Sequence, residues 1–104
     1  MATVRWTVGA QNDLQALVAY ITQGSAAYAA TMSGRIVAAT ERLERFPELG
    51  RIVPEYEDPS LRELVVRDYR VVYRIRGGDV LIAAIVHGTR NLLKRLPTGP
   101  WEIE

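Results

Sequence analysis

Three side chains in the second half of the sequence are of the types that metal-free cleavage of RNA requires. Glu55, Arg70 and His87 supply a carboxylate, a guanidinium and the only imidazole of the chain. The reaction needs a base for the 2′-hydroxyl proton, a cation for the charge that builds on the phosphate, and an acid for the leaving 5′-oxygen. The three residues suit these roles in that order. Each also has a structural interpretation, as a solvated loop acid, a surface arginine and a strand-end histidine.

Two of these residues lie in residues 61–90, a segment that predicts three consecutive antiparallel strands. Its short runs rich in Val, Ile and Tyr are separated by Arg67-Asp68 and by Gly77-Gly78. A Gly-Gly pair suits a two-residue hairpin turn with positive φ at both positions. We therefore expect the last two strands to form a tight hairpin.

The Gly-Gly turn also predicts the register of that hairpin. Tyr73 would oppose Ile82 and Tyr69 would oppose Val86, and opposed residues share a face of the sheet. This face would be apolar throughout, so another layer of the protein must cover it. Its predicted members are Tyr69, Val71, Tyr73, Ile75, Val80, Ile82, Ala84 and Val86.

The opposite face would combine basic residues with the histidine. Arg70 and Arg74 point to this side in the predicted register, and His87 lies at its end. Arg70 would be diagonal to His87 with a Cβ separation of roughly 7–8 Å, so both could contact one bound group. This prediction depends on the register, because a slip of one residue moves a side chain to the other face.

The first half of the chain supplies a covering layer. Alternating Val4, Trp6 and Val8 predict a first strand, and apolar residues at helical spacing predict helices over residues 10–23 and 26–46. Between them Gly24 and Ser25 suit a C-terminal and an N-terminal cap, and Pro47 ends the second helix. The apolar positions are Leu14, Leu17, Val18 and Ile21 in the first helix, and Ala29, Met32, Ile36, Ala39, Leu43 and Phe46 in the second.

The element order β-α-α-β-β-β predicts an α+β fold, an antiparallel sheet with a helical hairpin packed on one face. Residues 47–60 hold three prolines and predict an ordered, irregular loop along one sheet edge. Residues 91–96 favour a short basic turn. We expect one domain over residues 1–96 and a C-terminal tail over residues 97–104.

Composition limits the class of protein. With 104 residues, 48% apolar and 24% charged, the chain suits one ordinary globular domain. It has no cysteine, which excludes disulfides and thiolate zinc sites. No basic segment leads into a long apolar run, so we expect neither a signal peptide nor a membrane span and a cytoplasmic location.

Other chemistries are poorly supported, and we expect no cofactor. The Gly-Gly pair precedes a strand rather than a helix, which does not fit a nucleotide-binding loop. A metal site is poorly supported because the chain has a single histidine. Glu55, Glu57 and Asp58 could nevertheless hold a hard cation. Ser-His-Asp catalysis is set aside, because the three serines fall on predicted helices or the loop.

The net charge of +1 conceals an asymmetry. Residues 61–95 hold seven Arg and one Lys against three acids, whereas residues 1–60 carry a net negative charge. Arginine can donate two hydrogen bonds at once to a phosphate or a carboxylate, so this excess suits a binding surface. A general compositional bias towards Arg would also account for the excess. The residues predicted to bind a target or nucleic acid are Arg62, Arg67, Arg74, Arg90, Lys94 and Arg95.

Several sequence motifs in this element order resemble the RelE/ParE superfamily of type II toxin-antitoxin toxins, over about residues 3–95. They are Asp13-Leu14, Tyr20-Ile21, Phe46-Pro47 through Gly50-Arg51, Leu61-Arg62-Glu63-Leu64, Tyr69-Arg70-Val71-Val72-Tyr73 and Ile85-Val86-His87-Gly88-Thr89-Arg90. The resemblance implies a toxin that a co-expressed antitoxin, its protein partner, holds silent. It also implies an association with plasmid stabilisation and growth inhibition.

Two activities occur in that superfamily. RelE-like members cut mRNA, typically in the ribosome, and one branch uses a Glu, Arg and His trio that Glu55, Arg70 and His87 would match. ParE-like members lack nuclease activity and block DNA gyrase. The Phe-Pro-x-x-Gly-Arg loop and the His-Gly-Thr-Arg ending resemble the ParE-like branch more closely. A third alternative is a non-toxic module that binds RNA or protein through its basic face.

Overall fold

The computed structural model describes residues 1–88 and Leu92, and its elements follow the predicted order with two additions, a 3₁₀ helix and a short strand. Their bounds are β1 (Val4–Trp6), α1 (Val8–Thr22), α2 (Ala26–Glu41), a 3₁₀ helix (Arg42–Glu44), β2 (Arg51–Ile52), β3 (Leu61–Val66), β4 (Tyr69–Arg76) and β5 (Asp79–His87). Within the described residues no helix is both long and apolar enough to span a membrane.

The five strands form one sheet in the order β1-β5-β4-β3-β2. The predicted fold class is confirmed, but the sheet is mixed, because β1 runs parallel to β5 while the other neighbours are antiparallel. The short strand β2 lies in the segment predicted as an irregular loop, where it pairs with β3 along the predicted sheet edge.

Side-chain oxygens begin both helices. Thr7 caps α1 by accepting a hydrogen bond from the backbone N–H of Ala10 at 2.9 Å, and Ser25 caps α2 by accepting from Tyr28 at 3.0 Å. The predicted N-terminal cap at Ser25 is confirmed. Thr7 lies in the segment predicted as the first strand, but it caps α1 instead. Each cap satisfies a backbone donor that the helix leaves unpaired.

The helical hairpin covers one face of the sheet, here called the helix face. Met32, Ile36 and Leu43 of the second helical segment are fully buried against Tyr73 and Ile82 of the sheet. This is the predicted covering layer.

The prediction for Phe46 as the end of the second helical stripe was wrong. The α-helix ends at Glu41 and continues only as a 3₁₀ turn, so the spacing of the stripe is lost beyond Leu43. The Phe46 side chain is consequently 59% exposed.

The register of the last hairpin is as predicted only near its turn. Gly77 and Gly78 have φ of 57° and 85°, and Tyr73 opposes Ile82. A bulge then intervenes, and Val72 opposes Ala84. Because Ala83 is the extra residue, everything in β5 beyond it is shifted by one position relative to β4.

The start of α1 stabilises β5 around this bulge. Beyond Ile82, β5 extends past its pairing with β1, which leaves an edge that needs partners. The Thr7 hydroxyl donates to the carbonyl of Ala83 at 3.3 Å, and the Asp13 carboxylate accepts from the backbone N–H of Ile85 at 3.0 Å. Side chains from the helix thus replace a neighbouring strand.

The bulge corrects the predicted faces. Ala84 and Val86 were expected on the helix face, but they lie on the opposite one, here called the loop face. A second, smaller apolar cluster occupies the loop face beneath residues 53–60. Its buried members are Val53, Leu61, Val72, Ala84, Val86 and Leu92, and Tyr56 packs against them.

Candidate functional site

Arg70 lies on the loop face between two carboxylates. Its Nη1 and Nη2 atoms donate to the two oxygens of Glu55 at 2.8 and 2.7 Å, and its Nε atom donates to Glu63 at 2.7 Å. The Arg70 side chain is only 11% exposed. The structure therefore brings together two of the three predicted catalytic residues, but as a closed ion pair.

Glu63 is the centre of this cluster and was missed by the sequence analysis as a site residue. Its side chain is wholly buried, and it also accepts a hydrogen bond from Arg51 at 2.6 Å. The signal lay in the strand pattern, because Glu63 follows Leu61 by two residues and so points to the same face. An acid at an inward position of a strand predicts a buried partner of opposite charge.

The four residues Arg51, Glu55, Glu63 and Arg70, here called the ion cluster, balance two guanidinium groups against two carboxylates. The hydrogen bonds from Arg70 lower the pKa of Glu55, against an opposing effect of burial. The same hydrogen bonds raise the pKa of Arg70 above its ordinary value. Both groups are therefore held in their charged forms. The carboxylates of Glu55 and Glu63 already balance the positive charge of Arg70.

His87 is on the other side of the sheet. The bulge makes it the cross-strand partner of Tyr69, whose ring it meets edge-on with 5.4 Å between centroids. Arg70 follows Tyr69 in β4 and so points to the opposite face. The predicted diagonal contact between Arg70 and His87 was wrong, because the register shift moves His87 to the helix face.

The arginines predicted to bind a target differ in their surroundings. Arg62 donates to the backbone carbonyls of Glu48, Gly50 and Pro59, so its guanidinium holds a loop in place. Arg67 occupies the β3–β4 turn with φ of 55°.

Arg74 lies on the loop face near Asp58, where its charge helps to lower the pKa of that carboxyl, although hydrogen bonds from Ser60 contribute more. Arg90, Lys94 and Arg95 lie outside the described residues. In the part of the chain that the structure describes, no three His, Cys, Asp or Glu residues are grouped to hold a metal ion. Glu55 and Asp58 instead contact Arg70 and Ser60.

The Phe-Pro-x-x-Gly-Arg loop is fastened to the sheet by Tyr73. The Tyr73 hydroxyl donates to the carbonyl of Pro47 at 2.6 Å and accepts from the N–H of Gly50 at 2.9 Å. A Cβ at Gly50 would lie 2.5 Å from the carbonyl oxygen of Glu63, so only glycine fits there. The loop therefore positions Arg51 at the ion cluster.

Comparison with known proteins identifies the relatives of this architecture. The family model described as the ParE toxin of type II toxin-antitoxin systems, parDE, matches residues 4–92. Toxin RelE2 of Caulobacter vibrioides is 40% identical over 91 residues, which are 86% of this chain and 99% of that protein. Toxin ParE3 of the same bacterium is 38% identical over 68 residues, 65% of this chain and 67% of that protein.

A solved structure of the chromosomal ParDE system from P. aeruginosa contains the same fold. Its TM-score is 0.69 at 24% sequence identity, and the match covers 84% of this chain and 96% of that chain.

Proposed function

Because this chain belongs to the ParE toxin family of type II toxin-antitoxin systems, we propose that it arrests bacterial growth by poisoning DNA gyrase and not by cutting mRNA. The superfamily supplies both activities, and the family model that matches is the ParE one. A cognate antitoxin protein is the expected partner in the cytoplasm. Release from this antitoxin would expose the target-binding surface.

The separation of Arg70 and His87 is the observation that carries this proposal. A nuclease of the Glu-Arg-His type must bring its cation and its acid to one phosphate. Here the sheet lies between them, and Glu63 and Glu55 already occupy the donors of Arg70. An incoming phosphate would have to displace a bidentate carboxylate, which favours a mechanism without RNA cleavage.

A RelE-like mRNA endonuclease is the second candidate. Its support is the contact between Glu55 and Arg70, together with the 40% identity to Toxin RelE2. Under this alternative, binding to the ribosome would have to open the ion cluster and rearrange β5 around its bulge.

The test is to express the toxin briefly in cells and to follow new DNA and new protein synthesis over the first minutes. We expect DNA synthesis to fall first, with intact mRNA and a DNA-damage response. Purified toxin should also inhibit supercoiling by purified gyrase. A prompt fall in translation with cut mRNA would contradict the proposal, and normal growth with folded toxin present would contradict both toxin activities.

A matched variant separates the two candidates further. His87→Gln keeps a polar side chain beside Tyr69, so a gyrase poison should retain its toxicity. A nuclease that used His87 as the acid should lose most of its activity. Circular dichroism of the variant checks that the fold is intact.

A further inference from the structure

Thr7 binds two successive carbonyl groups of β5, and this contact lies at the bulge. Its backbone N–H donates to the carbonyl of Ile82 at 3.0 Å, and its hydroxyl donates to the carbonyl of Ala83 at 3.3 Å. In a regular strand, successive carbonyls point to opposite sides. Both can face Thr7 here because Ala83 is the extra residue of the bulge. The two donors of Thr7 therefore match the bulged strand and not a regular one.

The direction of the Thr7 hydroxyl is fixed by the helix that it caps. Its oxygen accepts from the N–H of Ala10 at 2.9 Å, which leaves the hydroxyl proton for the carbonyl of Ala83. Thr7 and Ala83 are only 3% and 1% exposed, so water cannot easily replace this donor. Without the bulge, the carbonyl of Ala83 would turn to β4 and pair with Val72 instead. Loss of the hydroxyl therefore destabilises the bulged strand and not the regular one.

The apolar sequence of β5 is compatible with both registers. The residues around the bulge are all apolar and buried, so a shift by one position leaves both layers of the sheet apolar there. Without the bulge, Ala83 and Ile85 would replace Ala84 and Val86 on the loop face. On the helix face, Ala84 and Val86 would replace Ile85 and His87. Hydrophobic burial therefore gives little preference for the bulged register.

Gly88 is a second feature that suits the bulged register. Its N–H donates to the carbonyl of Asp68 at 2.6 Å, and a Cβ at Gly88 would lie 3.2 Å from the same oxygen. Without the bulge, His87 would take this position and bring its own Cβ into that close contact. A glycine at residue 88 therefore favours the bulge.

We propose that Thr7, assisted by Gly88, holds β5 in the bulged register and so determines the face of the sheet on which His87 lies. Without these two contacts β5 takes the regular register, and His87 moves to the loop face beside Arg70. Thr7 is thus a positioning residue that acts on the site through β5. This inference rests on the proposed function only in concerning the same separation of Arg70 and His87. It does not depend on gyrase as the target.

The experiment removes both contacts from the full-length toxin. Thr7→Val keeps the shape of the side chain and deletes its hydroxyl, and Gly88→Ala adds the Cβ that the bulged register opposes. Two controls accompany this double variant. Thr7→Ser keeps the hydroxyl, and Ser25→Ala removes the N-terminal cap of α2 without touching β5. Thermal unfolding of each variant shows whether it is folded.

Cross-peaks between β4 and β5 in a nuclear Overhauser spectrum report the register. The unaltered toxin should show one set of cross-peaks, which joins Tyr69 to His87 and Arg70 to Val86. In the double variant we expect loss of this set. A second set should replace it, joining Tyr69 to Val86 and Arg70 to Ile85.

The controls separate the role of the hydroxyl from a general loss of stability. Thr7→Ser and Ser25→Ala should both retain the first set of cross-peaks alone. If the double variant does not fold, Thr7→Val by itself takes its place, and we expect it to show the second set beside the first.

Two results would overturn the inference. One is the first set alone in the folded double variant or, in its place, in folded Thr7→Val. The other is the second set in Thr7→Ser or Ser25→Ala, which would mean that any loss of stability shifts β5. Failure of the unaltered toxin to inhibit gyrase would contradict the proposed function and leave the comparison of registers intact.

Discussion

The two faces of the sheet are stabilised by different interactions. On the helix face, Met32, Ile36 and Leu43 pack against sheet residues in a continuous apolar core. On the loop face a smaller apolar cluster lies beside the wholly buried Glu63 with its two arginine partners. Hydrophobic burial dominates the first face, whereas the second also depends on charge pairing.

The comparison shows why counting basic residues overestimates a binding surface. Arg62 and Arg70 belong to the basic segment of residues 61–95, yet their guanidinium groups hold backbone carbonyls or carboxylates. Arg51, just before that segment, likewise holds a carboxylate. These arginines stabilise the loop and β2 against the sheet. Exposed arginines that have no such partner in the part of the chain that the structure describes, such as Arg76, are better candidates for contacts with other molecules.

The largest expected effect is from Glu63→Ala. Removing the central carboxylate leaves the largely buried Arg70 with one partner, and breaking a buried ion pair costs about 3–5 kcal/mol. Denaturant unfolding of the purified protein measures this change in the free energy of unfolding. A loss below about 1 kcal/mol would mean that the loop face does not depend on charge pairing more than the helix face does.

A double variant sharpens that result. Glu63→Leu with Arg70→Met replaces the pair by apolar side chains of similar size, and such replacements are often neutral or stabilising. We therefore expect the double variant to be more stable than Glu63→Ala. If the double variant were less stable than Glu63→Ala, the shape of the removed side chains and not an unpaired charge would explain the loss of stability in Glu63→Ala.

A smaller effect is expected from Tyr73→Phe on the helix face. The change removes the hydroxyl that joins Pro47 and Gly50, and it leaves the buried N–H of Gly50 without this acceptor. Leaving one buried donor unsatisfied costs about 1–3 kcal/mol. Tyr69→Phe, in which the hydroxyl is lost from a partly exposed ring, is the control. Equal stability losses in both variants would contradict the anchoring role of Tyr73.

The smallest effect is expected from Glu55→Gln, and it depends on pH. Arg70 lowers the pKa of Glu55, so the charged carboxylate stabilises the folded state above the ordinary value of 4.5. This contribution, about 1 kcal/mol or less, is lost as the pH falls through the lowered pKa. The difference in unfolding free energy between the variant and the unaltered toxin should be present at pH 7 and vanish in acid. A difference that is constant with pH would contradict the ion pair.

The helical hairpin and the order of the main elements were predictable because their signals are local. Ser25 as a cap, apolar spacing in α1 and α2, and the Gly77-Gly78 turn each act over a few residues. The two-residue strand β2 was not predictable from such a pattern, because its pairing with β3 is set by the loop that Tyr73 and Arg62 hold.

The candidate site was only half predictable. The Glu55 and Arg70 contact joins a loop and a strand as the sequence suggested, but the bulge at Ala83 has no local signature in a run of apolar residues. Asp13, 72 positions before Ile85, supports the strand beside it. A register that depends on such a distant partner cannot be deduced from the hairpin alone.

The measurement that tests this account most directly is a nuclear Overhauser spectrum of the folded toxin. With the bulge in place, we predict cross-peaks between the ring protons of Tyr69 and His87, and between Arg70 and the methyl groups of Val86. Cross-peaks that join His87 to Arg70, with Tyr69 next to Val86, would contradict the separation of the two faces. They would restore the arrangement that a nuclease requires.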